Sequence, residues 1–566
     1  MSTQMPMRYP VGVSNYQELV TERYIYVDKT LMVREVFNDA KILIITRPRR
    51  FGKTNAMSML QYFSAEEVDG KPTAHLFKNC LLAKRHPEFV AEHQGQYSVI
   101  FLTLKDVKAD SFPLMMEMMT DVISMLYRQH DNLLTNAAID SVDREHFERI
   151  RQKKINHSEL KNSILFLSAF LKKVFKKPVI IIIDEYDTPI LSAYHNDYFS
   201  ECINFMRGLL GSALKDNPHV HKGVVTGITR IAKENLFSDL NNPKFYTILD
   251  DRYAEYFGFT DDEVKLLLEK TDHSEKAADI KKWYNGYTLG GTTIYNPWSI
   301  IYCLSENARF ALYWVNTSDN LLVRKNVAGS NEYFKRELEK LMEGGTTTQA
   351  IQVHLTFENL TDNDTALWSL LVFSGYLTID RAKLDHLGNY HCELRIPNQE
   401  LLLLFRNQMV SWFYAKIGLE GYERWLRDLT QGNIEQFSDT LQNTLMDVAS
   451  HFDTKGKQPE RFYHGLILGL IASLKETHTI YSNRESGHGR YDIAIVPHDK
   501  SQLGIIIEFK SVKNINELAE SAEKALAQIK TKLYANELKA GGIKKILQIG
   551  MAFCGKSVEI RSLFGK

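Results

Sequence analysis

Three places in this 566-residue chain bring together residue types that can do chemistry. The first is the run Thr46-Arg47-Pro48-Arg49-Arg50-Phe51-Gly52-Lys53-Thr54. Gly52 lets the backbone come close to phosphate oxygens. The N–H groups that open a following helix point at an anion, Lys53 sets a positive charge against β- and γ-phosphates, and the Thr54 hydroxyl suits Mg2+. Arg49, Arg50 and Phe51 complete the loop, the two arginines either touching phosphate or standing in solvent. The second place is Asp184-Glu185, at the end of the apolar run from Val179 to Ile183. Asp184 suits magnesium, directly or through water, and Glu185 suits polarising an attacking water, since phosphoryl transfer needs positioning and charge neutralisation above all. The third is Asp492 with Glu508 and Lys510. Two carboxylates can hold a divalent cation through hard oxygen ligands, and the lysine can orient water or balance charge.

Each pattern also fits an ordinary structure when read alone: a basic surface turn, an acidic strand cap, an amphipathic hairpin with an exposed Glu/Lys pair. Context favours the chemical readings. Ile42 to Ile45 reads as a buried strand broken at Pro48, and a helical pattern starts at Asn55, so the lysine lies between a strand and a helix. Strands at 98–104, 179–183 and 223–228 alternate with helical patterns over 111–175 and 197–215. Strands apolar on both faces and separated by helices imply a parallel sheet covered on both sides, with ligands at the carboxyl ends of its strands. Thr226, Thr229 and Arg230, at the end of one such strand, are candidates for sensing a γ-phosphate or are an ordinary strand terminus.

Beyond residue 250 the pattern turns mostly helical to about 350, apart from the loop Trp283-Tyr284-Asn285-Gly286-Tyr287, which reads as core packing. Residues 367–373 form an apolar helix followed by a hairpin pattern with a turn near Leu387-Gly388-Asn389, an order that resembles a winged helix. The last segment reads as helix 462–474, strands 491–496 and 504–510, helix 516–538 and strand 545–549. Side chains alternate along a strand, so Glu508 and Lys510 share one face. Glu485 offers a third carboxylate, and Gln528 with Tyr534 could support the site from the helix that follows. The expected architecture is α/β: a P-loop NTPase parallel-sheet domain at 1–250, a helical lid-like region at 251–350, a winged-helix-like and helical connector at 351–454, and a compact C-terminal α/β domain at 455–566.

These residues resemble a known family. The segments Tyr26-Val27-Asp28-Lys29-Thr30, Thr46 to Thr54, Ile183-Asp184-Glu185-Tyr186-Asp187, 227–242 and Trp283 to Tyr287 are similar to the predicted AAA-ATPase-like family of bacterial proteins. Arg47 in place of the first glycine of the phosphate loop is part of that family's pattern. The C-terminal part resembles the PD-(D/E)XK nuclease superfamily, with Asp492, Glu508 and Lys510 on its core motif and Gln528 and Tyr534 on its helix motif. The resemblance implies ATP as ligand, ATP hydrolysis with Mg2+, and a nuclease site using Mg2+ or Mn2+ on nucleic acid, DNA favoured. It also leaves room for a C-terminal domain that only binds.

Bulk properties set the remaining bounds. Lys+Arg and Asp+Glu both number 69, so no global positive field draws the chain to nucleic acid or an anionic membrane, and any such contact is local. The five cysteines (80, 202, 303, 392 and 554) are scattered without a CxxC, which argues against a disulfide framework and a structural zinc site. No run approaches the roughly 18 apolar residues of a membrane span, and the first residues lack a signal-peptide core. The expectation is a cytoplasmic protein without membrane contact. An arginine supplied in trans would require a homo-oligomer.

Overall fold

The computed structural model describes residues 8–215, 217–229, 236–237, 243–314, 332–342, 344–353, 363–386, 388–448, 459–486, 489–532, 534–555 and 557–565. The chain divides into two compact units. One holds Met1–Val323, Gln349–Glu393 and Pro397–Glu400; the other holds Arg324–Thr348, Leu394–Ile396 and Leu401–Lys566.

The first unit is built on strands β1 (Ile42–Thr46), β2 (Ser98–Thr103), β3 (Val179–Asp184), β4 (Val220–Gly227) and β5 (Lys244–Tyr246). They pair in the order β2-β3-β4-β1-β5, all parallel. Every residue of β1 and β3 is buried, as expected of strands covered on both faces. Ile42, Ile44, Ile181 and Ile183 share a core with the helices Phe112–Arg128, His157–Phe175 and Phe199–Leu214, while the helix Lys53–Ser64 contacts β2 and β3. The parallel sheet read from the sequence is present. Among the elements that went unread are the helix Thr188–His195 and β5, which is too short to show a period.

The helices Asp261–Lys270, Ala277–Tyr284 and Pro297–Ser305 form a smaller core that also takes in Tyr9, Ile25 and Val27. Between the last two lies a hairpin, Tyr287–Leu289 with Thr292–Ile294, where the sequence read only a loop. Strands of three residues give no readable alternation. The helix Asp364–Ser374 stops at Gly375, whose φ of 88° suits a residue without a side chain. The strands Thr378–Leu384 and Tyr390–Arg395 follow it, the helix-then-strands order seen in the sequence.

The second unit centres on a mixed sheet of β6 (His478–Ser486), β7 (Gly489–Pro497), β8 (Leu503–Ser511), β9 (Lys545–Cys554) and β10 (Ser557–Gly565), paired in that order. Only β8 and β9 run parallel. The helix Leu518–Thr531 packs on β8 and β9. The single helix expected over 516–538 is two helices, because the chain breaks after Thr531 and resumes at Ala535–Ala540. The edge strands β6 and β10 also went unread.

Candidate functional sites

The phosphate loop begins where β1 ends. Gly52, with φ of 83°, caps the helix Lys53–Ser64 without a side chain, so Lys53 and Thr54 occupy its first turn, two residues earlier than the pattern suggested. This leaves the first-turn N–H groups aimed at the loop, the arrangement that favours an anion. Thr54 donates a hydrogen bond of 2.7 Å to Asp184, and Thr226 donates to the other oxygen of the same carboxylate. Because β4 lies between β1 and β3, residues from the tips of three strands meet at one carboxyl edge.

Lys53 is buried, and its ammonium donates to the carbonyl oxygens of Arg47 and Pro48 at 3.1 and 3.0 Å. Burial holds its pKa below the usual lysine range, with Glu185, Asp184 and Asp187 pulling the other way. Burial likewise raises the Asp184 and Asp187 carboxyls, against the hydrogen bonds each accepts. Glu185 sits at φ 55°, a conformation rare outside glycine, and accepts from Thr188 at 3.3 Å. Lys53, Thr54 and Glu185 line a cavity of about 320 Å³ whose other walls include Val11, Tyr26, Lys29 and Tyr302.

The other loop residues have distinct places. Arg47, fully buried, donates to the carbonyls of Thr46, Tyr246, Thr247 and Arg252, which ties the end of β1 to the segment after β5. The Arg49 carbonyl accepts from the Trp314 indole at 3.3 Å. The Arg50 guanidinium lies 3.8 Å over the Trp298 ring and donates to the Tyr313 carbonyl at 3.1 Å. Phe51 is fully buried, edge-to-face with Tyr287 at 4.9 Å, so its backbone is what it can offer a phosphate. Thr229 is committed to Asp187, through its N–H at 3.0 Å and its hydroxyl at 3.3 Å. Arg230 lies outside the described residues. Sequence reasoning missed Asp187 as the lock on the end of β4, although its place three residues past the apolar strand was a signal.

In the second unit, antiparallel pairing of Ile493 with Ile507 puts Asp492 opposite Glu508. Asp492 accepts from the Phe509 N–H at 2.8 Å. Glu508 is buried and accepts from the Gln528 amide. Lys510 stands 3.7 Å from the Glu508 carboxylate and donates to the Phe509 carbonyl at 3.0 Å. Tyr534 is buried beside this group; burial raises its phenol pKa, with Gln528 lowering it and Glu508 and Asp492 adding to the rise. The structure therefore brings Asp492, Glu508, Lys510, Gln528 and Tyr534 together. The Glu485 backbone pairs with Arg490 in the β6–β7 hairpin, and its side chain is outside the described ones. His464 went unread: its Nε2 lies 3.1 Å from the Asp492 carbonyl and from the Ser482 hydroxyl, and burial lowers its pKa.

Among the described residues no group of three His, Cys, Asp or Glu side chains forms a metal cage. The donor sets still fit magnesium, which keeps several waters and takes one or two carboxylates. Thr54 with Asp184 supply hard oxygen at one site, and Asp492 with Glu508 at the other. No helix among the described residues is long and apolar enough to cross a membrane.

A five-stranded parallel sheet with a lysine-bearing loop after β1 and an acidic tip on β3 defines the first unit as a P-loop NTPase fold. Comparison with family models agrees: residues 10–237 match the family described as Predicted AAA-ATPase, and residues 458–562 match the PD-(D/E)XK nuclease superfamily. The chain thus carries an AAA-ATPase-like domain and a PD-(D/E)XK nuclease superfamily domain. It is 24% identical over 580 residues to an "Uncharacterized protein in vnfD 5'region" of Azotobacter chroococcum mcd 1, covering 99% of this chain and 98% of that protein.

Proposed function

We propose that the first unit binds and hydrolyses ATP with Mg2+, and that the second is a metal-dependent nuclease acting on nucleic-acid phosphodiesters, DNA favoured, in a cytoplasmic setting. The observation that carries the ATP reading is the 2.7 Å bond from Thr54, which lines the same cavity as Lys53 and Glu185, to Asp184. In this reading Lys53 and the first-turn N–H groups hold the β- and γ-phosphates, Thr54 and Asp184 hold the cation, and Glu185 orients water for in-line attack. Arg49, Arg50 and Arg230 are the candidates for further phosphate contacts. Bound Mg2+ would neutralise charge developing on the phosphate oxygens.

In the second unit Asp492 and Glu508 would hold the cation while Lys510 orients water, with Gln528 fixing Glu508. One observation favours the alternative of a signalling ATPase whose C-terminal domain only binds. Only two carboxylates among the described side chains face each other there. Purified protein incubated with ATP, Mg2+ or Mn2+, DNA and RNA decides between them. Cleavage lost in Asp492→Ala upholds the nuclease. Nucleotide turnover without cleavage under any metal upholds the binding module. Nucleotide turnover that survives Lys53→Ala ends the assignment of that lysine to the phosphates.

A further inference from the structure

Between Thr46 and Thr54 the loop has one glycine, Gly52, yet Arg50 also sits at a positive φ of 66°. Glycine is the residue that adopts such backbone freely. Something outside the loop must therefore hold it, and the structure shows a closed circuit of contacts that does so. Arg50 stacks on Trp298 and donates to the Tyr313 carbonyl. The Trp298 indole donates to that same carbonyl at 3.1 Å. Trp314, the next residue, gives its indole N–H to the Arg49 carbonyl and its backbone N–H, at 2.7 Å, to Glu400. Glu400 in turn accepts from Ser299 at 2.8 Å, and Ser299 is the neighbour of Trp298 in the helix Pro297–Ser305. On another side Gly375 lies so close to Pro48 that a Cβ there would stand 2.9 Å from the proline ring.

We propose that Glu400 is a positioning residue for the phosphate loop: its carboxylate fixes Trp314 and Ser299, and through them Trp298, so that Arg49 and Arg50 present the loop in the shape that receives nucleotide. Trp298, Tyr313 and Trp314 then have a task that their sequence did not disclose. They brace the loop from behind, with Tyr287 doing the same for Phe51. Glu400 is fully buried at the start of the helix Gln399–Gln431, the last residue of the first unit before the chain passes to the second. Burial pushes its carboxyl up to about 7, against hydrogen bonds from Trp314, Ser299 and Tyr313 and the charge of Arg50. The other ionisable groups that face it are Tyr284 and Tyr287, Cys303 of the helix Pro297–Ser305, and Tyr313. Burial raises all four, so at neutral pH they stay uncharged and Glu400 is the group that titrates. A proton on Glu400 removes its charge and one of its acceptor oxygens, which loosens the circuit.

This inference rests on the ATP reading, and the test separates the two. MgATP affinity of the full chain is measured by calorimetry from pH 6 to pH 8.5, beside amide exchange of residues 49–53 without nucleotide. In wild type, affinity falls about tenfold as pH drops from 8 to 6. Glu400→Gln binds about tenfold more weakly than wild type at pH 8, shows a flat profile, and exchanges the loop amides faster. Ser299→Ala, a milder change, shifts affinity in the same direction. Unchanged affinity and exchange in both variants, with a flat wild-type profile, overturns the inference even while Lys53→Ala still abolishes binding. If wild type binds no nucleotide at any pH, the ATP reading falls and the exchange data alone decide: faster loop exchange in Glu400→Gln upholds the circuit, unchanged exchange overturns it.

Discussion

Thr54 and Asp184 stand 130 positions apart in the chain and share a hydrogen bond of 2.7 Å at the carboxyl edge of one sheet. That bond joins the strand–loop–helix after β1 to the acidic tip of β3, and it separates the roles of the residues around it. Lys53→Ala should abolish ATP binding, because it removes the ammonium that faces the phosphates. Glu185→Gln should keep binding and lower turnover by about 10²–10⁴-fold, the range for loss of a general base. Thr54→Ala should raise the Mg2+ concentration needed for half-maximal turnover. Calorimetry for binding and phosphate release for turnover read all three. Equal loss of binding in the Lys53 and Glu185 variants would remove the distinction.

Glu400 gives a pH prediction with a definite sign. Its folded-state pKa, about 7, lies above the ordinary glutamate value of 4.5, so the folded chain holds this proton more tightly than the unfolded chain. Stability from this group is full below pH 4.5 and is lost as pH rises to about 7. The loss is on the order of 3 kcal/mol at 1.36 kcal/mol per unit. Glu400→Gln lacks that loss. Thermal melts should therefore show the variant gaining on wild type as pH rises from 5 to 8, while its nucleotide affinity falls behind that of wild type above about pH 6. A purely structural residue would lose both together.

The sheet of the first unit was legible because β1 and β3 are unbroken apolar runs, and Asp184-Glu185 shows at the end of one of them. The meeting of Asp492 and Glu508 was legible from their spacing across a hairpin, and the shared face of Glu508 and Lys510 from strand alternation. The circuit behind the loop was not legible. Its members lie at 49–50, 298–299, 313–314 and 400, and each makes local sense as a core aromatic, a helix start or a surface charge. Glu400 did leave a trace, a carboxylate directly before Leu401-Leu402-Leu403-Leu404, where an unpaired charge would be costly. β6 and β10 were missed because edge strands carry polar residues, as in Ser482-Asn483-Arg484-Glu485 and Glu559-Ile560-Arg561-Ser562, and such runs resemble loops. Arg47 was legible as part of the family's pattern, but its structural task was not. One of its four carbonyl partners is the neighbouring Thr46, but the other three come from residues 246–252, which no local pattern connects to it.

Gly550 in β9 is required by close packing. A Cβ there would lie 2.3 Å from the Ala522 carbonyl and 2.5 Å from the Leu526 nitrogen, both backbone atoms of the helix Leu518–Thr531. Neither can swing aside as a side chain could. Gly550→Ala must push the helix off the sheet, with a cost of about 1–3 kcal/mol or more. Because that helix carries Gln528, the displacement should also weaken any nuclease activity while MgATP affinity holds. A melt within about 1 °C of wild type would show that the helix does not approach β9 so closely.

Asp492 offers the sharpest test of the second site because its carboxylate has two separable duties. One oxygen accepts from the Phe509 N–H, which fixes β7 against β8 beside Glu508. The other duty, holding a cation, needs charge. Asp492→Asn keeps an oxygen for the Phe509 N–H and removes the charge, so it should melt like wild type yet cut DNA at least a hundredfold more slowly with Mg2+ or Mn2+. Asp492→Ala loses both duties and should also melt lower, by the cost of a buried N–H left without its acceptor, about 1–3 kcal/mol. Gln528→Ala frees Glu508 from its amide donor and should cost 10–100-fold in cleavage or metal affinity, the usual effect of removing a group that orients a ligand. Oligonucleotide cleavage assays and metal titrations measure these effects. An Asp492→Asn protein that cuts as fast as wild type would leave the carboxylate pair with a structural role alone, and the second unit as a module that binds without cutting.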